Sequence, residues 1–254
     1  MIKYLNEFKL KQTLIRFSIP IFLVILLFPC EKACAQTSRI GIVNLLDSAL
    51  VYKHIGLTGF KDKLDTFDCQ FNCKKYIDKE LTRILSSSYT ISLISIPGSL
   101  ISPNGNITIS LNDNKETQTW ITRLKNQFDF IIFVETGEQD DIMDPKKQKL
   151  RSTGLYSRGN PGKSWVAVFN TTRFTAIRTS NLEIVNYDLS SMDYLLPINN
   201  YQFSKQDLLI DPGMLPLIRS ELIRLIDYKL EFFLTDSYIM PNAEYNKLKP
   251  VKTE

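Results

Sequence analysis

The chain has 254 residues, 44% of them hydrophobic and 23% charged, which is the composition of a folded protein with a substantial core. Its 31 basic and 27 acidic side chains give a formal net charge of +4, but the first 35 residues hold five of the basic and two of the acidic ones. The other 26 basic and 25 acidic side chains nearly balance, which excludes the basic footprint of a nucleic-acid-binding protein, and we expect no nucleic-acid partner.

The first 35 residues contain the three parts of a secretory signal. Four basic residues precede an apolar run over 17–28, and Ala33-Cys34-Ala35 then matches a small-x-small cleavage site. The apolar run is shorter than the roughly 20 residues of a membrane-spanning helix. A retained anchor, or a lipid attached at Cys30 or Cys34, is the alternative. We therefore expect cleavage after Ala35 and a protein exported to the periplasm or secreted.

The next segment predicts two strands, over 40–46 and 49–55. Because only Asp47 and Ser48 separate them, the spacing predicts a tight hairpin. The glycines and alternating charges over 56–65 then predict a polar loop.

A helix is predicted after this loop, with Asp68 as its N-cap. Its apolar residues recur at helical spacing and should form the buried stripe: Cys73, Ile77, Leu81 and Ile84. Three serines at 86–88 should end the helix. A strand over 89–96 follows it.

Only two cysteines, Cys69 and Cys73, remain after the predicted cleavage. In an oxidising compartment a disulfide between them is feasible at a loop-to-helix junction, and a redox-active pair is the alternative. A zinc site is not expected, because there is no second pair of cysteines and His54 is the only histidine.

The middle of the chain contains the clearest strand. Turn residues dominate 97–118, where 107–109 suggests a short hairpin arm, and a helix is predicted over 117–127. The nearly continuous apolar run over 128–134 is typical of a central strand that is covered on both faces.

A long charged segment over 135–152 separates this strand from the last part of the chain. Strands are predicted over 154–158, 164–178 and 182–187, the last two as an antiparallel hairpin that turns at Ser180-Asn181. The final helix should begin near Pro216. We expect the polar tail over 241–254 to be disordered.

These elements have the order β-β-α-β-α-β-β-β-β-α. This order predicts the α+β class, with a single mixed sheet on which the helices pack, in one domain over 36–240. No second apolar run approaches membrane-spanning length, so no transmembrane segment is expected after signal cleavage.

The start of the predicted domain resembles an uncharacterised family of exported bacterial proteins. The residues that carry the resemblance lie at 40–43 and 54–60, with looser similarity at 130–133 and 154–156. The element order is also remotely similar to modules of cell-envelope proteins: the curli-secretion lipoprotein, the outer-membrane activators of peptidoglycan synthases and the amino-terminal part of the Tol-system propeller protein. The resemblance implies a module that binds partners and is not an enzyme.

A cluster of acids follows the predicted central strand. It consists of Glu135, Glu138, Asp140, Asp141 and Asp144. Carboxylate oxygens are ligands for Ca²⁺ or Mg²⁺, so the cluster is a candidate metal site, although its spacing lacks the regular pattern of a calcium loop. The alternative is a solvated loop whose acids are balanced by nearby lysines and an arginine.

Two other features suggest catalysis only weakly. His54 lies in a predicted strand with no serine or cysteine nucleophile beside it in sequence, so we expect a surface or edge residue. The segment over 159–164 ends in Gly-Lys-Ser but lacks the earlier glycine and the following helix of a phosphate-binding loop, and it predicts a turn.

The function that these features favour is an exported, non-catalytic binding or assembly module of the bacterial cell envelope, with no cofactor. The alternatives are an exported hydrolase or metal-dependent enzyme that uses the acids of 135–144, and a secreted effector. The partner would be an envelope protein or an unidentified ligand.

Overall fold

A computed structural model describes residues 38–56, 62–102, 114–141, 149–159, 165–185, 194–199, 201, 210–236 and 239. All of them belong to one compact unit. The predicted signal, the hairpin arm at 107–109, most of the turn at 159–164 and the tail over 241–254 lie outside the described residues. No helix in the described part of the chain is long and apolar enough to cross a membrane.

The described chain has eleven strands and three α-helices. The strands are β1 (Arg39–Asn44), β2 (Leu50–Ile55), β3 (Lys63–Phe67), β4 (Thr90–Leu93), β5 (Phe130–Thr136), β6 (Glu138–Asp140), β7 (Lys149–Arg151), β8 (Thr153–Arg158), β9 (Trp165–Asn170), β10 (Thr172–Arg178) and β11 (Leu195–Pro197). The helices are α1 (Cys73–Leu85), α2 (Lys115–Arg123) and α3 (Leu215–Asp236). Short 3-10 turns occupy Gly98–Leu100 and Pro212–Met214.

The strands form three sheets, so the α+β class is confirmed and the prediction of a single sheet is wrong. A four-stranded sheet has the order β10-β5-β1-β4, a five-stranded sheet has the order β11-β9-β8-β2-β3, and β6 pairs with β7 alone. β1 runs parallel to β4 and β5, and β2 runs parallel to β8. The predicted central strand is confirmed as β5, which lies between β10 and β1 and is buried on both faces.

The predicted hairpin over 40–55 is wrong. β1 and β2 are separated by only five residues, yet they pair with different strands in different sheets. β2 forms its hairpin with the next strand instead: β3 occupies part of the predicted polar loop and pairs antiparallel with β2.

The predicted strand over 164–178 is two strands that join the sheets. β9 lies in the five-stranded sheet and β10 in the four-stranded sheet, and Thr171 is the single residue between them. The Lys229 ammonium, buried on α3, donates 2.9 Å hydrogen bonds to the carbonyls of Asn170 and Thr172 on either side of this junction. Beyond β10, the described part of the strand predicted over 182–187 forms one antiparallel bridge, between Ile177 and Ile184.

The N-cap of α1 is Asn72, whose side chain accepts a hydrogen bond from the backbone N–H of Lys75 at 2.9 Å. The prediction of Asp68 as N-cap is wrong, because Asp68 accepts from Gln70 in the turn before the helix. The predicted stripe of Cys73, Ile77, Leu81 and Ile84 is confirmed as buried.

The main core lies where α1 and α3 pack against apolar residues of both larger sheets. On α3 the buried residues recur at helical spacing, and the Phe233 ring stacks 5.2 Å from Phe174 of β10. The Tyr76 hydroxyl of α1 donates a 2.7 Å hydrogen bond to Asp227 of α3. α2 covers the opposite face of the four-stranded sheet, where Ile121 joins a second apolar cluster.

Candidate functional site

The acids of the candidate metal site do not converge in the structure. Each of the four that are described contacts a different cation: Glu135 with Arg173 at 3.0 Å, Glu138 with Arg151 at 3.6 Å, Asp140 with Lys149, and Asp141 with Lys53 at 3.1 Å. Asp144 lies outside the described residues. Within the described ranges no three His, Cys, Asp or Glu residues form a group that could hold a metal ion. The calcium or magnesium site therefore stays a prediction, without support from the four placed acids.

The acids separate because the first and the last of the four are buried and the two between them are exposed. Glu135 is buried in the four-stranded sheet opposite Arg173, its cross-strand partner in β10. Glu138 and Asp140 lie exposed on the hairpin of β6 and β7 and pair with the facing cations of β7. Asp141 is buried again, just after β6.

Asp141 attaches this hairpin to the outer face of the five-stranded sheet. One of its carboxylate oxygens accepts a 3.1 Å hydrogen bond from the Lys53 ammonium of β2, and the other accepts a 3.2 Å bond from the Tyr156 hydroxyl of β8. The Tyr194 hydroxyl also donates to the carbonyl of Asp140 at 2.9 Å. Lys53, Asp141 and Tyr156 form a buried cluster with a structural role, because all three side chains join packed elements.

We expect Asp141→Ala to lower the free energy of unfolding by about 3–5 kcal/mol, because it leaves the buried Lys53 ammonium without this carboxylate. Asp140→Ala removes an exposed pair and should cost less than about 1 kcal/mol. Urea unfolding at pH 7 measures both. The measurement is repeated with added Ca²⁺ or Mg²⁺, and a cation-dependent gain in stability that both substitutions abolish would favour the metal site instead.

His54 is fully buried, so the prediction of a surface or edge residue is wrong. Its Nδ1 lies 2.8 Å from the Oγ of Ser157, which in turn lies 3.1 Å from the Tyr52 hydroxyl. The parallel register of β2 and β8 places His54 directly beside Ser157, 103 residues away in the chain. Sequence reasoning missed this pair because only the strand register brings the two residues together.

A serine hydroxyl beside an imidazole has the parts of a nucleophile and its base. Here both side chains are fully buried, so no substrate reaches Ser157 in this structure. The Nε2 of His54 is also buried, and it has no hydrogen-bond partner among the residues that the structure describes. The arrangement is that of a neutral imidazole that links two parallel strands.

Burial lowers the pKa of the His54 imidazole below its ordinary value of 6.5, and the Asp62 carboxylate acts in the opposite direction. The unfolded chain therefore binds the proton more readily than the folded protein does. The stability that this neutral residue contributes is present above about pH 6.5 and is lost as the pH falls below it.

We expect the difference in unfolding free energy between the wild-type protein and His54→Gln to shrink from pH 7 to pH 5, because only the wild type can protonate at this position. Denaturant unfolding at each pH measures this difference. Carboxylates titrate in both proteins and cancel in the comparison. A difference that grows on acidification contradicts the lowered pKa.

Cys69 and Cys73 are free, buried thiols in this structure. The Sγ of Cys73 lies 3.7 Å from the Oγ1 of Thr153, and burial raises the pKa of this thiol to about 12. Burial also raises the pKa of the Cys69 thiol. Both are therefore protonated at neutral pH, and the disulfide stays a prediction for oxidising conditions.

The five-stranded sheet ends at β3, which sequence reasoning assigned to a polar loop. Within the described part of the chain, β3 pairs with β2 on one side and has no strand on the other. Leu64, the second residue of β3, is 75% exposed. Leu93 of β4, at the edge of the four-stranded sheet, is 58% exposed. An exposed strand edge of this kind can accept a strand from another polypeptide.

The fold and these features define an α+β protein with two larger sheets, buried polar clusters and an exposed strand edge. No family model and no curated protein matches the chain. Among solved structures it is similar to protein XCC0632 from Xanthomonas campestris, described with the family model DUF330. That match has 9% identity and a TM-score of 0.37, and it covers 86% of this chain and 94% of the other. A similarity this weak supports no conclusion about function.

Proposed function

We propose that this chain is an exported, non-catalytic binding or assembly module of the bacterial cell envelope, and that β3 is its binding surface. The observation that carries the proposal is the edge of the five-stranded sheet at β3, where no second described strand pairs and where the Leu64 side chain is exposed. The leader over residues 1–35 and the resemblance to exported proteins support the location.

Strand addition needs unpaired backbone N–H and C=O groups and at least one side chain that gains by burial. β3 supplies both at Leu64, whose backbone groups face away from β2 and whose side chain is exposed. The polar groups that resemble catalytic parts are used inside the fold: Ser157 and His54 bond to each other, and Asp141 bonds to Lys53. The binding role therefore has more support than the exported hydrolase. The secreted effector has no observation of its own.

Site-specific photo-crosslinking in the producing cells tests whether β3 is a binding surface. A photoreactive residue replaces Leu64 in one strain and Tyr228 of α3, also a large exposed residue at 45%, in the control strain. We expect a discrete crosslinked adduct from position 64 and none from position 228. If position 64 gives no adduct beyond the control, β3 is not a binding surface.

Sequencing the amino terminus of the natural product tests the export step. We expect Gln36 as the first residue, after removal of the leader at Ala35. An intact Met1 on protein recovered from the cytosol would contradict the envelope location while leaving the strand edge unaffected.

A further inference from the structure

We infer that the strand which pairs with β3 comes from a second copy of this chain, in an antiparallel arrangement with Leu64 opposite Leu64. This inference rests on the proposed function, because it names the partner for the same strand edge. Three features of β3 carry it: which backbone groups face outward, where its charges lie, and how exposed Leu64 is.

The hydrogen bonds of β2 show which groups of β3 face outward. The carbonyl of Ile55 accepts from Gly159 after β8, so the odd-numbered residues of β2 direct their backbone groups toward β8. The even-numbered ones face β3, and two of them, Tyr52 and His54, lie opposite Asp65 and Lys63. The alternating residues of β3, Leu64 and Thr66, therefore direct their N–H and C=O groups to the open edge.

One of these outward backbone N–H groups is hydrogen-bonded to a side chain in place of a neighbouring strand. The backbone N–H of Thr66 donates a 2.8 Å hydrogen bond to the carboxylate of Asp65, its own neighbour. This bond lowers the pKa of Asp65 below its usual range, together with the ion pair to Lys63. A side chain in this position satisfies the N–H when no strand is present and can leave when one arrives.

The charges of β3 favour the self-pairing register that is centred on Leu64. Two copies related by a twofold axis pair antiparallel, and residues directly opposite must lie on the same face of the sheet. A register centred on Lys63 or on Asp65 places two like charges opposite each other. The register centred on Leu64, between those two, places Lys63 of each copy opposite Asp65 of the other.

The register centred on Leu64 also covers the exposed Leu64 side chain. Leu64 lies on the outer face of the sheet, opposite Lys53 of β2, and a second Leu64 across the axis would cover apolar surface that is 75% exposed in one copy. Each copy alone has one Lys63–Asp65 pair, 3.4 Å apart and partly exposed, and in the dimer these two pairs would be exchanged for two pairs between copies. The interface is isologous and closes on itself as a dimer, and its small extent makes the association reversible and concentration-dependent.

Sedimentation of the full exported chain across a range of concentrations tests the dimer. We expect a monomer–dimer equilibrium for the wild-type protein, and at least about a tenfold rise in the dimer dissociation constant for Leu64→Lys, which places two ammonium groups opposite each other. Leu93→Lys makes the same change at the edge of the other sheet and should leave the equilibrium unchanged. Circular dichroism melting shows that both variants fold.

A mixing experiment tests the register. Lys63→Asp and Asp65→Lys should each fail to self-associate, because like charges then face each other in both pairs. Mixed in equal amounts they should form a heterodimer, since every pair across the axis is again of opposite charge. Recovery on mixing cannot come from a repaired contact within one chain.

A wild-type protein that stays monomeric at all concentrations, or variants that do not recover on mixing, would overturn the inference. In that case a crosslinked adduct of position 64 with a different polypeptide would leave the proposed function standing. An adduct of two copies of this chain supports both.

Discussion

Gly154→Ala should lower the free energy of unfolding by more than about 4 kcal/mol, enough to leave little native protein at 37 °C. A Cβ at this position would lie 1.8 Å from the carbonyl oxygen of Val51 and 2.7 Å from its carbonyl carbon. Both are backbone atoms of β2, and Val51 is the register partner of Gly154 in β8. The clash is therefore relieved only if the two parallel strands separate, and Ser157 then separates from His54.

Thermal unfolding followed by circular dichroism measures this effect. Gly98→Ala is the matched control, because a Cβ at Gly98 meets no atom within 4 Å. We expect this control to melt within a few degrees of the wild-type protein. A Gly154→Ala protein that melts with the control would mean that β2 and β8 are not paired in this register.

Arg173→Met should also be strongly destabilising, with a loss of about 3–5 kcal/mol in the free energy of unfolding. Arg173 and Glu135 are directly opposite in β10 and β5, their charged atoms lie 3.0 Å apart, and both residues are buried. Removing the guanidinium leaves the buried Glu135 carboxylate without this cation in the interior of the protein.

A second ion pair made by the same strand provides the control. Arg178 of β10 contacts Glu183 at 2.7 Å, but the two side chains are 44% and 52% exposed, so Arg178→Met should cost less than about 1 kcal/mol. The double variant Glu135→Gln with Arg173→Met should be more stable than Arg173→Met alone, because the buried charge is gone. Equal losses for Arg173→Met and Arg178→Met in urea unfolding would contradict a buried pair.

Local patterns predicted those elements whose burial is periodic along the chain. The stripe of α1 from Cys73 to Ile84 and the apolar strand β5 needed no knowledge of distant residues, because helical spacing and a continuous apolar run are visible within about 15 residues. The same holds for the long apolar face of α3, although that helix begins one residue before the predicted Pro216.

Prediction was wrong where pairing partners decide the structure. The residues over 45–49 are compatible with a tight hairpin, yet β1 and β2 enter different sheets because each pairs more extensively with distant strands. β3 was missed because an edge strand exposes both faces and its sequence, Lys63–Phe67, therefore lacks an apolar alternation. Nothing in the sequence around Thr171 indicates that the strand predicted over 164–178 divides there between two sheets.

At the candidate sites, too, strand pairing and not proximity in sequence decides which residues meet. The acids over 135–144 are adjacent in sequence, but strand alternation and a hairpin place the described ones beside four different cations. His54 and Ser157 carry no shared motif, and the parallel register of β2 and β8 alone brings them into contact. The exposed edge at Leu64 exists only because the sheet ends there.

By itself the sequence determined the α+β class, the buried faces of α1 and α3 and the central strand, because each depends on the spacing of apolar residues within one element. The tertiary structure alone decided that the strands form three sheets, which polar residues meet in the interior and which strand is left at an edge. Those outcomes depend on pairing between segments as far as about 100 residues apart, whose free energy is distributed over many backbone hydrogen bonds and leaves no local pattern.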